Sequence, residues 1–425
     1  MDDTIFACSS GAPPSAIAVI RVSGPRAEAA LTELAGRTLP ARTARLVTLR
    51  NRAGEALDRA LALRFPGPAT ATGEDIAELH CHGGRAVVAA VETALSGMEG
   101  LRKAEPGEFT RRAFANGRID LAEAEGLADL LAAETEWQRR AALAQAGGAF
   151  SAIVETWREA VLMLSAEVES ALDFADESDV PADFSGFGAS LSRLMGEMQS
   201  WLDRPAAERL RDGIRIVLAG PPNAGKSSLF NSLIESDAAI ATPIAGTTRD
   251  LIERPVAISG IPFLFQDTAG LRETGDAVET IGVERALAAV ARADIVLWLG
   301  AEGEGPDGAW EIATMTDLDK PAFAKLQPRF SVSAATGAGV DVLRRALVDH
   351  ARTLLPPPGE AALNARQRDC VAEALRALQD GGLHPDLLVR AELLRVARVA
   401  FDRLLGRATT EDMLDRLFGR FCIGK

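Results

Sequence analysis

Residues 220–228 read Gly-Pro-Pro-Asn-Ala-Gly-Lys-Ser-Ser, and the chain on either side restricts what they can become. The preceding run, Ile214-Arg215-Ile216-Val217-Leu218-Ala219, is apolar and β-branched enough for a buried parallel strand. The following Ser228-Leu229-Phe230-Asn231-Ser232-Leu233-Ile234 places apolar residues at helical spacing. A strand that passes through a glycine-bearing loop directly into a helix predicts an α/β unit. Its loop N–H groups and positive helix end converge on one point, where a polyphosphate is stabilised. Asn223, Ala224, Gly225, Lys226, Ser227 and Ser228 form that cradle. Lys226 is placed to reach the β/γ-phosphates, and the Ser227 hydroxyl to hold Mg²⁺.

Further elements follow in the order such a unit requires. Ile261 to Gln266 predicts a strand that delivers Asp267-Thr268-Ala269-Gly270, a D-x-x-G that positions Mg²⁺ and senses the γ-phosphate. Between the two motifs lies Gly246-Thr247-Thr248-Arg249-Asp250, where Thr248 is the expected switch threonine for Mg²⁺. Asp294–Leu299 predicts another buried strand, and Phe330-Ser331-Val332 leads into Ser333-Ala334-Ala335, the S-A-x of a guanine pocket. The guanine-reading N-K-x-D is altered. Its best counterpart is Thr314-Met315-Thr316-Asp317, where Asp317 keeps the carboxylate that accepts from N1–H and N2–H₂. Met315 can cover the purine face, and Thr314 replaces the Asn that ties the pocket to the phosphate loop. The competing reading makes Asp317 part of an ordinary acidic turn, Asp317-Leu318-Asp319.

The chain has 425 residues and 47% hydrophobic content, which predicts two to four globular units. Its net charge of −14 argues against a broad nonspecific nucleic-acid binder, although a local arginine patch can still read a folded RNA. Cys8, Cys81, Cys370 and Cys422 lie far apart, which points to a reducing cytoplasm rather than a disulfide framework or zinc site. No signal peptide and no membrane-spanning run are expected. Residues 1–117 look mixed α/β, with Ile17–Val22 strand-like. From Ile119 the texture turns helical: Leu121, Ala124, Ala128 and Leu131 share one face, and Val154, Trp157, Val161, Leu164, Val168 and Ala171 another. The α/β nucleotide unit occupies 211–355, broken by Pro356-Pro357-Pro358-Gly359. Helical stripes then resume with Val371, Leu375 and Leu378, and with Leu387, Ala391, Leu394, Phe401 and Leu405. The predicted fold class is therefore α/β with α. An N-terminal α/β domain (1–117) precedes a discontinuous helical bundle (118–210 and 356–425), into which a Ras-like GTPase domain (211–355) is inserted.

A second set of motifs spans the chain. Asp3-Thr4-Ile5, Arg21-Val22-Ser23-Gly24-Pro25, Thr72-Gly73-Glu74-Asp75, His80-Cys81-His82-Gly83-Gly84, Pro106-Gly107-Glu108-Phe109, Gly246-Thr247-Thr248-Arg249-Asp250 and the terminal Cys422-Ile423-Gly424-Lys425 together resemble the MnmE/TrmE family. The resemblance implies a GTPase that acts with an FAD-dependent MnmG/GidA-type partner, in a heterotetramer or larger complex. It implies installation of a carboxymethylaminomethyl-type group at carbon 5 of the tRNA wobble uridine. It also implies a homodimer whose N-terminal domain binds a 5-formyl- or 5,10-methylene-tetrahydrofolate one-carbon donor. The alternative is a switch GTPase that binds RNA or the ribosome without modification chemistry.

The family's folate positions fall on Arg21, Glu78, Arg118 and Lys425. A carboxylate suits the donor edge of a pterin, and Arg or Lys the glutamate tail. Without the resemblance, Arg21 and Glu78 read as an ordinary ion pair. The His80-Cys81-His82 triplet tempts a metal assignment, but adjacent strand residues point to opposite faces, so a turn-lining role is expected instead. Leu271 follows Gly270 where a water-positioning Gln would stand, and the resemblance gives that task to Glu279; by itself Glu279 reads equally as a solvated helix-start carboxylate. No arginine finger is evident in cis apart from Arg249, inside the switch. The resemblance supplies K⁺ instead, held by Asn223, Thr242, Ile244 and Thr247, with Pro243, Ala245 and Gly246 completing the nucleotide-facing loop. Taken alone, Phe421-Cys422-Ile423-Gly424-Lys425 is a frayed terminus. If it reaches the folate pocket, Cys422 becomes a candidate nucleophile or acid–base group.

Overall fold

The computed structural model describes residues 3–173, 186–234, 253–267, 287–319, 323–382, 384–408 and 410–425. By internal contacts the chain divides into two compact units, Met1–Ala128 with Asp402–Lys425, and Asp129–Phe401.

The first unit is built on a six-stranded sheet of order β3-β4-β5-β2-β1-β6. These strands are β1 (Thr4–Cys8), β2 (Ile17–Ser23), β3 (Arg45–Arg50), β4 (Ala56–Phe65), β5 (Ile76–His82) and β6 (Leu101–Lys103). Neighbours pair antiparallel except β1 with β6, which pair parallel. Period-two alternation sends Ala18, Ile20 and Val22 of β2, with Leu79 and Cys81 of β5, to one face. There they form a core with Leu31 and Leu34 of helix Ala27–Ala35 and Val88, Val91 and Leu95 of helix Arg85–Ser96. On the opposite face, Ile17, Val19 and Arg21 stand across the ladder from His82, His80 and Glu78, and Leu61 lies across from both His80 and Leu46. Helix Glu108–Ala115 covers the β1 end of this face, with Phe109 against Ile5 and Ala7. Farther along, Ile17, Leu46 and Leu61 remain 58%, 52% and 39% exposed.

The His80-Cys81-His82 triplet corrects one expectation: it lies within β5 and does not line a turn. Alternation still separates Cys81 from the two histidines. Cys81 is buried, and burial pushes its thiol pKa up to about 12. His82 pairs instead with Asp58, Nδ1 to Oδ1 2.7 Å.

The second unit joins a helical bundle to a second six-stranded sheet. In the bundle, Trp157 of helix Ala149–Asp173 packs against Phe150, Trp201 and Phe401 at ring separations of 6.1–6.3 Å. The predicted stripe Val154, Trp157, Val161, Leu164 and Val168 is buried, as a helix with a ~100° apolar face requires. Helix Phe187–Leu202 packs on helix Ala365–Gly381, so segments before and after the nucleotide unit build one bundle. The Arg368 guanidinium fastens the two by donating to the carbonyl oxygens of Leu202 and Arg204.

The second sheet has the order β12-β11-β10-β7-β9-β8. It comprises β7 (Ile214–Ala219), β8 (Glu253–Ile258), β9 (Ile261–Asp267), β10 (Ile295–Trp298), β11 (Trp310–Ala313) and β12 (Phe330–Ser331). Every pair is parallel except the β8–β9 hairpin. Its central strands read as continuous apolar runs because both faces are covered: helix Lys226–Ile234 and helix Val340–Leu354 pack on the face of Ile216 and Leu218, and Ala289 packs on the face of Val217 and Ala219. Residues 299–309, which join β10 to β11, hold turns and no helix. The Trp298 ring fills the space beneath them: a Cβ at Gly300 or Gly305 would lie 2.5 or 2.7 Å from it.

Candidate functional site

The phosphate loop emerges where β7 ends, at the carboxyl edge of the central strand, where open α/β sheets bind ligands. Asn223 and Gly225 take positive φ values of 60° and 88°, which lets the loop curl so that its N–H groups turn inward. Lys226 opens the helix and is buried, its ammonium donating to the carbonyl oxygens of Gly220 at 2.8 Å and Pro221 at 2.7 Å. These bonds hold the ammonium over the mouth of the loop, where phosphate oxygens are the acceptors it suits.

The structure brings Ser227 and Asp267 together: the Ser227 hydroxyl donates to Asp267 Oδ2 at 2.8 Å. These motifs are 40 residues apart, and the parallel pairing of β7 with β9 aligns Leu218 with Asp267. A hydroxyl and one carboxylate are hard oxygen donors, and that set fits Mg²⁺, which keeps most of its shell as water and phosphate oxygen. Among the described residues no group of three His, Cys, Asp or Glu could hold a metal ion.

At the base end, Thr314 does more than vacate the Asn position. Its hydroxyl donates to the Ala224 carbonyl oxygen at 2.8 Å, so the threonine itself ties the strand end to the phosphate loop. Met315 sits at φ 56°, a conformation that unbranched L-residues seldom occupy, and its methyl would be 3.2 Å from a Cβ on Gly225. Asp317 is exposed and accepts from the buried Ser333 hydroxyl at 2.5 Å. The acidic-turn reading also finds support in a bond from Leu318 N–H to the Met315 carbonyl. That turn aims Asp317 toward Ser333. Ala334 and Ala335 follow Ser333 in the same loop.

Thr242, Pro243, Ile244, Ala245, Gly246, Thr247, Thr248, Arg249, Thr268, Ala269, Gly270 and Glu279 lie outside the described residues.

In the first unit, Arg21 and Glu78 are cross-strand partners, with Nη2 to Oε1 2.8 Å and Nε to Oε1 3.0 Å. His80 Nε2 lies 3.4 Å from Glu78 Oε2, and the Arg21 guanidinium stands 5.9 Å over the Phe109 ring. Arg118 is exposed, its stem against Gly73, in the loop Thr72-Gly73-Glu74-Asp75.

The C-terminal tail is seated rather than frayed. Ile423 forms an antiparallel bridge with Pro106, and the Gly107 N–H donates to the Cys422 carbonyl at 3.5 Å. Gly424, at φ 95°, presses on the end of β1, where a Cβ would lie 2.9 Å from Ser9 Cα and 3.0 Å from the Cys8 carbonyl carbon. Ala7, one residue earlier in β1, faces Arg21 across the ladder. Cys422 is exposed and Lys425 half-buried.

Two side-chain groups carry structure that sequence reasoning missed. Arg112, almost fully buried, is held by Asp3 at 2.8 Å, Glu108 at 3.1 Å and Glu74 at 3.2 Å, with Arg102 also bound to Asp3 and Glu108. Burial opposes charge on Asp3 and Glu108, but the two guanidinium groups outweigh it and hold both below the usual carboxylate range. The i,i+4 spacing of Glu108 and Arg112 was the available signal. In the other unit, buried Lys325 donates to the Trp298 carbonyl and pairs with Glu311, while Glu311 accepts from Gly303 N–H. That cluster pins loop 299–309 and left no pattern in sequence.

Known proteins match along the whole chain. A family model described as the GTP-binding protein TrmE N-terminus matches residues 4–118, and one described as the MnmE helical domain matches residues 121–422. The chain is 62% identical over 424 residues to the tRNA modification GTPase MnmE of Erythrobacter litoralis, covering 100% of both chains. It is 58% identical over 438 residues to the protein of the same name from Novosphingobium aromaticivorans, again covering 100% of both. The Rhizorhabdus wittichii counterpart is 59% identical over 433 residues, covering 100% of this chain and 97% of its own. With the phosphate loop, the Ser227–Asp267 pair and both family models in agreement, the chain belongs to the MnmE/TrmE family of GTPases.

Proposed function

We propose that this chain hydrolyses GTP in order to modify the wobble uridine of tRNA, acting as a cytoplasmic homodimer with an FAD-dependent MnmG/GidA-type partner. The group installed is of the carboxymethylaminomethyl type, its one-carbon unit drawn from a tetrahydrofolate donor. The observation that carries this reading beyond a simple switch GTPase is the seated tail. Gly424 abuts the end of β1, in the sheet that carries Arg21 and Glu78, so Cys422 and Lys425 stand in the same unit as the proposed folate residues. There the Arg21–Glu78 pair supplies one donor and one acceptor for a pterin edge, and Arg118 and Lys425 supply charge for a glutamate tail. Cys422 is the thiol available for one-carbon chemistry. The partly exposed face bearing Ile17, Leu46 and Leu61 gives a second copy an apolar surface to cover, which supports the homodimer. The domain division 1–117, 118–210, 211–355 and 356–425 remains our functional assignment.

In the nucleotide unit, Lys226 binds the β/γ-phosphates, while Ser227 and Asp267, with Thr248, organise Mg²⁺. That ion, when bound, neutralises charge developing on the transferred phosphoryl group. Asn223, Thr242, Ile244 and Thr247 would hold K⁺, whose charge would serve as that of an arginine finger does, with Arg249 in the switch as the candidate finger, and Glu279 would orient the attacking water. The test is a tRNA nucleoside profile from a strain lacking this protein, complemented by the wild-type chain or by Cys422→Ser, with GTP turnover of both compared in K⁺ and Na⁺. The expected result is loss of the wobble modification, rescue by wild type alone, and K⁺-dependent turnover in both proteins. An unchanged nucleoside profile would leave only the switch GTPase, and equal rates in the two salts would remove the K⁺ site.

A further inference from the structure

A hydroxyl carries one proton, and the proton of Thr314 is spent. It goes to the Ala224 carbonyl at 2.8 Å, because a carbonyl oxygen can only accept. Thr314 therefore has only lone pairs left for a purine. The Ser333 proton is likewise committed to Asp317 Oδ1 at 2.5 Å. Met315 has no donor to give. Guanine offers two kinds of edge: N7 and O6 accept, whereas N1–H and N2–H₂ donate. Asp317 answers the donating edge. None of Thr314, Met315 and Ser333 has a side-chain donor left for N7. An asparagine at 314 would be different, since its amide has one acceptor and two N–H donors. It can tie the phosphate loop and still donate to the base.

We propose that the side chains of this pocket read guanine at its N1–H and N2–H₂ edge and leave N7 without a side-chain donor, because the Thr314 hydroxyl is consumed as the strap on the phosphate loop. This rests on the GTP-binding reading above and adds the determinant of specificity within it. The strap fixes the trade: buried Thr314 holds the Ala224 carbonyl that would otherwise be buried without a partner, at the expense of one contact to the base.

Equilibrium titration of the full chain with GDP, 7-deaza-GDP and IDP tests this without hydrolysis. 7-Deaza-GDP lacks the N7 acceptor and should bind within about twofold of GDP, whereas IDP, lacking the N2 amino group, should bind about tenfold more weakly. In Thr314→Asn the 7-deaza analogue should become about tenfold weaker than GDP, as a regained hydrogen bond to N7 requires. A wild-type chain that binds 7-deaza-GDP tenfold more weakly than GDP would overturn the inference while leaving guanine-nucleotide binding intact. Equal affinity for IDP and GDP would also overturn it, by removing the N2 contact. Absence of GDP binding would overturn the nucleotide reading itself, and this inference with it.

Discussion

Replacing Gly424 by Ala should unseat the C-terminal tail and uncouple the two activities of the chain. The Gly424 backbone is at φ 95°, outside even the left-handed region that a side chain tolerates, at a cost of about 1–2 kcal/mol for an L-residue. The new Cβ would also fall 2.9 Å from Ser9 Cα and 3.0 Å from the Cys8 carbonyl carbon. Both are backbone atoms of a paired strand end, so no rotamer change relieves the overlap. The tail is held beyond Phe421 by one bridge at Pro106 and a long bond, 3.5 Å, from Gly107 N–H. Those contacts are worth about 1–2 kcal/mol, comparable to the strain, so release of residues 422–425 is the cheaper response. Phe421 is buried with Leu417 and Phe418 and should stay. Hydrogen exchange should therefore accelerate at the Gly107 amide and in the tail, with GTP turnover unchanged and tRNA modification reduced about tenfold or more. Protection at Gly107 equal to wild type, or full modification with an exchanging tail, would refute the reasoning.

Lys226→Ala should weaken guanine-nucleotide affinity by at least about 100-fold, since a charge-assisted contact to phosphate is lost; the bundle core should persist, so a titration beside a circular dichroism melt separates binding from folding. Acid should loosen the first unit, which neutral pH leaves intact. Because folded Asp3 and Glu108 titrate below their ordinary values of 3.8 and 4.5, their stabilisation is fully present above those values and lost as pH falls through the lower folded ones. Thermal melts should be flat above pH ~5 and decline below pH ~4. Glu108→Gln should cost about 3 kcal/mol by leaving buried Arg112 short of countercharge. A mutant as stable as wild type at pH 7 would show the network to be redundant.

The phosphate loop, the β7 and β9 strands and the stripe from Val154 to Val168 were legible because each is written locally, in a period or a contiguous motif, whereas Leu131, placed on a stripe with Leu121 and Ala124, is 49% exposed. The Arg112 network was half legible: its Glu108 partner is one helical turn away, but Asp3 lies 109 residues distant. Lys325 was not legible at all, since a buried lysine differs from a solvated one only by its surroundings. The tail is the clearest division. Sequence placed a thiol, two apolar residues, a glycine and a lysine at the end of the chain, and local physics predicts fraying for such a segment. Only the tertiary structure supplies Pro106, Gly107 and the end of β1 as its seat. Thr314 divides the same way. Its loss of an amide could be read from the chain, but the destination of its one proton depends on where strand β11 ends beside the phosphate loop. Residue type sets how many hydrogen bonds a side chain can make, and the fold decides which partner takes them.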